Sequence, residues 1–358
     1  MNEIDARRVH MCVAVLKPLA MLPDRDAQIA YVHAHPVVLS ELCIQLGRSR
    51  PELTAIYDDI LPLFGAREKA VDGRAGFTLN PDRYPFGKGP IEAIWREMED
   101  GEVSEARALE LVSERGVAGD LLFVYAVAAT DRTLQMTMDG DAVRAARRHR
   151  IVVEAAEQLS PETSLLTDDD QWRIRFTIGR TWLDVASQAL AALPDGRMFH
   201  HALTLGETLA AEAEQRQSVH ERGYLLSRLG VLHLDPYTTN RETSNYAVEI
   251  KRWRARLAAE FGDDAARAID AAWPMPAPEQ ALERADTLLT ASLTLQKANR
   301  GETGTALAQC LMFRRKLGSD VADDRVRSVI NDALAELATT DDHERISRLQ
   351  LYLQHLDD

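Results

Sequence analysis

The sequence predicts an all-α protein built from serial antiparallel helix hairpins, and three observations carry that prediction. Aromatic residues make up only 6% of the chain, while Ala, Leu, Glu and Arg dominate. Such side chains lose little rotamer freedom in a helix. Apolar residues recur at spacings of three and four in block after block, as in Ile174, Ile178, Trp182, Val185 and Ala189, which is the period of one buried helix face. No alternating apolar and polar run longer than a few residues occurs, so no strand is expected.

In chain order, residues 1–64 read as an N-terminal helical segment of about four helices. Val13, Leu16 and Ala20 keep helical spacing, Pro36 stops the helix before it, Gly47 supplies a left-handed cap, and Pro51 sits in a first turn where its missing amide proton costs nothing. Residues 65–90 hold five glycines and the prolines Pro81, Pro85 and Pro90, so a linker or loop without regular structure is expected there. Residues 91–273 form a central helical region. Its helices end at Gly101 and Gly116, continue through an apolar run at 119–136, and extend from Asp141 to Leu159. The stripe from Ile174 to Ala189 then finds a partner in Ala202, Leu205 and Leu209.

The hairpin at residues 228–257 organises this region. One helix is expected to end at Leu229-Gly230, a connector to lie at Asp235-Pro236-Tyr237, and a second helix to begin near Asn240. Thr239 and Glu242 have the spacing of a capping box. Tyr246, Ile250, Trp253 and Leu257 share the face of the second helix. Pro274, Pro276 and Pro278 introduce the C-terminal hairpins at 274–358. Leu282, Ala285 and Leu289 precede a turn at Asn299-Arg300-Gly301, and the last two helices carry Val326, Ile330, Ala333, Leu337 and Ile346, Leu349, Leu353, Leu356.

Composition limits the functional classes. With 358 residues, 46% hydrophobic and 27% charged, the chain is a folded protein with a large core. A formal charge of −14 repels polyanions over most of the surface, so general nucleic-acid binding is not expected. No stretch reaches the roughly 20 apolar residues of a membrane span, and the N-terminus lacks the order of a signal peptide. Cys12, Cys43 and Cys310 are far apart and in apolar contexts; they read as buried thiols of a cytoplasmic protein.

Leu226, Leu229-Gly230 and His233 stand at the first-helix offsets of a tetratricopeptide repeat, as do Ile178-Gly179 and Trp182; Leu293, Gly301, Ala306 and Cys310 occupy offsets like its small positions. The middle and C-terminal parts therefore resemble degenerate repeats of this family. The two Leu-Gly or Ile-Gly pairs stand further apart than one repeat period of about 34 residues. The segment RDAQIAYVHAHPVVLSELC is similar to helical segments that accompany such repeats in large bacterial proteins with CHAT-type peptidase domains. The resemblance implies a TPR-like α-solenoid, or curved helical array, that binds proteins or peptides.

Catalytic and metal motifs are absent from the sequence. The His33/His35 and His200/His201/His220 groups lack HExxH spacing. The doublets Asp263-Asp264 and Asp323-Asp324 lack the third aspartate of DDxxD and fall at predicted helix starts, where they meet the positive end of the helix dipole. The FGKGP run at 86–90 has Asp82 where a phosphate loop needs glycine. Two basic runs, at 144–150 and 251–256, read as solvated helix exteriors around a buried stripe, with Glu249 and Glu260 spaced to pair within the second; the rival reading is a local basic lining of a groove that grips a carboxylate or acidic peptide.

The expected function is accordingly a non-catalytic scaffold or adaptor that binds another protein or peptide, with no cofactor and no metal, and with self-association left open. The candidate contact residues are Arg228, His233, Asp235, Tyr237, Arg241, Asn245 and Arg252, since Tyr and Arg are common interface anchors. Two rivals stand beside it. One is an all-α enzyme with a pocket drawing on His200, His201, His220 or His233 with Asp235 and Tyr237. The other is a regulatory repeat protein that senses a ligand or peptide.

Overall fold

A computed structural model describes residues 67–71, 74–78, 94, 96–98, 100–115, 142–157, 168–238, 246–338 and 340–357. The helices expected within 1–64 and 119–136, and the capping box at Thr239 and Glu242, lie outside these residues. The described part is all-α apart from one short hairpin, and no described helix is long and apolar enough to cross a membrane.

That hairpin corrects one expectation. Within the stretch read as lacking regular structure, β1 (Arg67–Val71) pairs antiparallel with β2 (Arg74–Thr78), Val71 opposite Arg74 and Arg67 opposite Thr78. The two intervening residues are Asp72-Gly73, a pair suited to the left-handed conformations of a two-residue hairpin loop. The density of Gly and Pro around it masks this local signal in the sequence.

The chain divides into two compact units, one of residues 1–139 and 147–178, the other of 140–146 and 179–358. In the first, helix α1 (Glu105–Arg115) begins where Ser104 Oγ accepts the Arg107 amide, a side-chain cap. From residue 147 onward helix α2 (Ala142–Glu157) also belongs to this unit, where it buries Ile151, Val152, Val153 and Ala155. Its basic run is not the solvated exterior expected: none of Arg144, Arg147, Arg148 and Arg150 is exposed, Arg150 pairs with Glu105 of α1 and, at 3.2 Å, with Glu154, and Arg147 lies 3.6 Å from Glu105.

The second unit is a two-layer helix array. It takes the C-terminal half of α3 (Asp168–Ala192), then α4 (Gly196–Gln215), α5 (Val219–Thr238), α6 (Tyr246–Phe261), α7 (Asp263–Ala272), α8 (Pro278–Leu295), α9 (Arg300–Lys316), α10 (Asp323–Leu337) and α11 (His343–Asp357). Helices α3, α5, α9 and α11 adjoin one another in that order. Asp184 pairs with Arg228 at 2.9 Å, Ser227 meets Thr303 at 2.9 Å, and Arg345 lies 3.5 Å from Glu302. Helices α4, α8 and α10 form the other layer, with Arg284 3.3 Å from Glu207 and Arg325 bonded to Asp286.

Close helix crossings hold the layers together. A side chain on Gly230 of α5 would come within 2.6 Å of Leu289 on α8, and one on Gly301 of α9 within 2.8 Å of Leu337 on α10; Gly179 of α3 faces Leu209 of α4 in the same way. In each hairpin the absent Cβ lets a leucine of the partner helix seat against backbone. The predicted stripes are buried accordingly: Ile178, Trp182, Ala189, Ala202, Leu209, Leu225, Leu229, Leu232, Leu282, Ala285, Leu289, Val326, Ile330, Ala333, Leu337 and Leu349 are all in the core. One continuous cluster joins Leu234 to residues of α8, α9, α10 and α11.

The structure moves the expected turn of the 228–257 hairpin. Helix α5 does not end at Gly230 and has no connector at Asp235–Tyr237; it runs through both to Thr238. Gly230 is spent on the crossing with Leu289 instead of on a cap. Pro236 falls in the last turn, where its missing amide removes a single helix bond. Helices of 25, 20 and 20 residues in α3, α4 and α5 also explain why Gly179 and Gly230 stand further apart than one short repeat.

Helices α6 and α7 are inserted between α5 and its partner α8. Trp253 of α6 packs on Tyr237 and Ala281, while Leu257, Ala266 and Ile269 cover Leu193 at the turn between α3 and α4. The acidic doublets 263–264 and 323–324 occupy first turns of helices, as their dipole reading requires.

Candidate functional site

Helical geometry decides which candidate residues share a site. At 100° per residue, positions 228 and 235 lie seven apart on nearly the same face of α5, whereas 233 and 237 fall on the opposite side. The structure follows this division. Arg228 and Asp235 turn toward α3; His233 and Tyr237 turn toward α4, α6 and the connector before α8.

On the first face, Arg228 is the centre of a charged and aromatic cluster. Its guanidinium contacts Asp184 at 2.9 Å and Glu302 at 3.0 Å, donates to the Tyr224 hydroxyl at 2.9 Å, and stacks on the Tyr224 ring with 4.8 Å to the centroid. Burial works against its charge, but Asp184, Tyr224 and Glu302 more than offset that and hold the guanidinium firmly protonated. Arg345 of α11 reaches Glu302 and Asp342, which extends the band across a fourth helix.

One turn before Asp184 on α3 stands Arg180, which is only 6% exposed. Its guanidinium lies 5.0 Å from the Tyr224 ring centroid, and its Nε has no hydrogen-bond partner. Burying a guanidinium without an anion costs several kcal/mol, of which stacking on an aromatic face recovers only about 1–2 kcal/mol. Tyr224 therefore serves two arginines, one balanced by carboxylates and one held by the ring.

Asp235, two turns beyond Arg228, accepts a 2.6 Å hydrogen bond from Ser187 Oγ of α3. Desolvation pushes its carboxyl up to about 6, against the opposing pull of the Ser187 bond and of Arg228 and Arg348. It is thus a carboxyl that takes up its proton near pH 6, beside a serine, with its hydrogen bond directed along the same layer.

The opposite face of α5 meets α4, α6 and the connector before α8. His233 is 6% exposed, packs edge-on against Phe199 with centroids 5.2 Å apart, and finds no hydrogen-bond partner for either ring nitrogen. Burial, and to a lesser degree Arg284, lowers its pKa to about 4, so the ring is neutral. The Tyr237 hydroxyl donates to the Pro276 carbonyl, and its ring meets Trp253 at 5.7 Å. Arg252 pairs at 2.6 Å with Glu249 one turn earlier on α6, away from the cluster. Arg241 and Asn245 lie outside the described residues.

Of the histidines weighed for a pocket, His200 and His233 both pack edge-on against Phe199, at 5.5 Å and 5.2 Å, while His201 and His220 lie elsewhere. His200 Nε2 sits 3.1 Å from the Pro274 carbonyl, His201 packs on Trp182 at 5.6 Å, and His220 is exposed near the start of α5. Among the described residues no group of three His, Cys, Asp or Glu side chains is placed to hold a metal ion. The Cys310 thiol donates to the Leu282 carbonyl at 3.1 Å, and burial pushes its pKa up to about 12, as suits the buried small hydrophobe expected of it.

Arg180, Asp184, Tyr224, Glu302 and Arg345 were not among the residues singled out from the sequence. Tyr224 and Arg228, like Arg180 and Asp184, stand four apart, a spacing that puts each pair on one helix face; that signal was present. Which faces met could be learned only from the packing of α3 on α5. No family model, curated protein or solved structure matches this chain.

Proposed function

We propose that this chain is a cytoplasmic, non-catalytic helical-repeat protein, TPR-like in organisation, that binds a protein or peptide along the layer formed by α3, α5, α9 and α11. One observation carries the reading: a chain of ion pairs, Asp184–Arg228–Glu302–Arg345, crosses all four helices of that layer, with the Ser187–Asp235 hydrogen bond beside it on α3 and α5. Serial helix arrays use such extended layers as binding surfaces. The recurring glycine-opposite-leucine crossings at Gly179, Gly230 and Gly301 support the repeat character.

The test is selection of a random displayed peptide library on the full-length chain. The expected outcome is a family of related peptides whose affinity falls at least tenfold with Arg345→Glu in α11 and is unchanged by Arg284→Glu in α8. Both arginines are partly exposed at 38% and 49% of their side chains, so either change leaves the core intact. Failure to select any peptide, or equal sensitivity to both substitutions, counts against the reading.

A further inference from the structure

We infer that α6 and α7 form a flap that opens off the array as one unit, held shut by a latch in the first turn of α4, and that its opening uncovers an apolar strip of Leu193, Tyr237 and Ala281. The hairpin is sparsely seated. Helix α6 buries only Glu249, Trp253 and Leu257 of its 16 residues, and α7 only Ala266 and Ile269 of its 10. On either side of the insertion, α5 buries twelve of 20 residues and α8 eight of 18. The apolar contacts of the flap form two small clusters, Leu193 with Leu257, Ala266 and Ile269, and Tyr237 with Trp253 and Ala281. Neither shares a residue with the cluster that joins α8 to α11. Helices α5 and α8 meet directly where Leu289 seats on Gly230, so the array closes without the insertion. A segment with few buried apolar contacts opens at a lower free energy than the core it rests on.

The flap also holds together by itself. Arg254 of α6 pairs with Asp270 of α7 at 2.8 Å, Arg252 with Glu249 at 2.6 Å and Arg267 with Asp264 at 2.5 Å, so the ion pairs of these three arginines travel with it. Its hold on the array is concentrated at the start of α4. Gly196 lies against the backbone of Trp273, the residue that caps α7, and a side chain at 196 would overlap the Trp273 carbonyl oxygen. The next residue, Arg197, stacks its guanidinium 4.8 Å from the Phe261 ring centroid, and His200 Nε2 sits 3.1 Å from the Pro274 carbonyl. One further tie comes from the turn before α4, where Arg256 donates to the Ala192 carbonyl at 2.8 Å. Three consecutive contacts on one helical turn therefore meet the end of α6, the end of α7 and the connector after it.

The test is hydrogen–deuterium exchange of the free full-length chain from zero to sub-denaturing urea, and its result does not depend on the binding reading above. The amides of 253–257 and 266–269 are expected to share one opening, at least tenfold more frequent than that of 229–234 and 282–289 and less steeply dependent on urea than global unfolding. Gly196→Ala is expected to raise this opening at least tenfold and Arg256→Met several-fold, with exchange at 282–289 unchanged. Ala281→Cys places a thiol beneath the flap, expected to be alkylated ahead of the buried native Cys310. Should Gly196→Ala or Ala281→Cys fail to fold, wild-type exchange and Arg256→Met decide the matter. Exchange of α6 and α7 only in step with α5 and α8, or openings of α6 and α7 that differ from each other, overturns the inference. An opening unmoved by Gly196→Ala overturns the latch, and a thiol at 281 that reacts no faster than Cys310 overturns the uncovering of the strip.

Discussion

Ser187 of α3 donates a 2.6 Å hydrogen bond to Asp235 of α5, joining two helices that carry the polar band through a carboxyl whose pKa is raised to about 6. An acid raised in the folded state binds its proton more tightly there than in the unfolded chain. Its contribution is therefore fully present below about pH 4 and is lost as pH rises through about 6.

Asp235→Asn removes that loss while keeping an acceptor for Ser187. The variant is expected to match the wild type near pH 4 and to exceed it above pH 6 by on the order of 2 kcal/mol. Urea unfolding at a series of pH values measures this; equal stabilities at pH 7.5 would contradict it.

His233 acts in the opposite sense. Its pKa is lowered to about 4 by burial, so its contribution is present above about pH 6.5 and lost as pH falls through 4. Replacing it with leucine removes two unsatisfied ring nitrogens and is expected to stabilise the protein at every pH, most at pH 4–5, by on the order of 1–3 kcal/mol. In the wild type the two slopes largely cancel between pH 4 and 6. A steeper fall of stability with acid in Asp235→Asn than in the wild type, and the reverse in His233→Leu, would reveal both.

Gly230→Ala tests the crossing of α5 on α8. A methyl there meets Leu289 at 2.6 Å and 2.8 Å and the Ala285 carbonyl oxygen at 3.4 Å. Overpacking of this kind costs about 1–3 kcal/mol, against a gain of about 1 kcal/mol in helix propensity. A net loss in melting temperature is expected. Combined with Leu289→Ala, which by itself costs about 2–5 kcal/mol as a core truncation, the losses should be less than additive, and an unchanged or raised melting temperature in the single variant would show that the helices can separate freely.

Removing the guanidinium of Arg228 takes away the 2.9 Å ion pair of Asp184 and the 3.0 Å ion pair of Glu302. Arg228→Ala is expected to cost on the order of 2 kcal/mol, below the figure for a fully enclosed pair because 19% of the side chain reaches solvent. Arg228→Met, which keeps the packing on Tyr224, should cost less. Chemical denaturation of the two variants compares them directly, and a larger loss for methionine than for alanine would contradict this ordering.

The fold was legible wherever periodicity fixed a face. Trp182, Leu225, Leu289 and Ile330 sit in the core as their stripes required, because a 3.6-residue period and a buried face are nearly the same statement. The turn at 235–237 was misread, since a glycine inside a helix and a proline in its last turn look like stop signals until Leu289 is seen against Gly230. Of the candidate contact residues, Arg228 and Asp235 share one face of α5 while His233 and Tyr237 lie on the other, and Arg180 and Tyr224 come together only because α3 and α5 cross. Residue spacing fixes faces within one helix; it does not say which faces of two helices meet.

The most direct test of the central claim is hydrogen–deuterium exchange of the full-length chain with and without a peptide selected on it. The account predicts added protection concentrated in α3, α5, α9 and α11, strongest around residues 180–187 and 224–235. Protection confined to α4, α8 and α10, with the band from Ser187 to Arg345 unchanged, would contradict it.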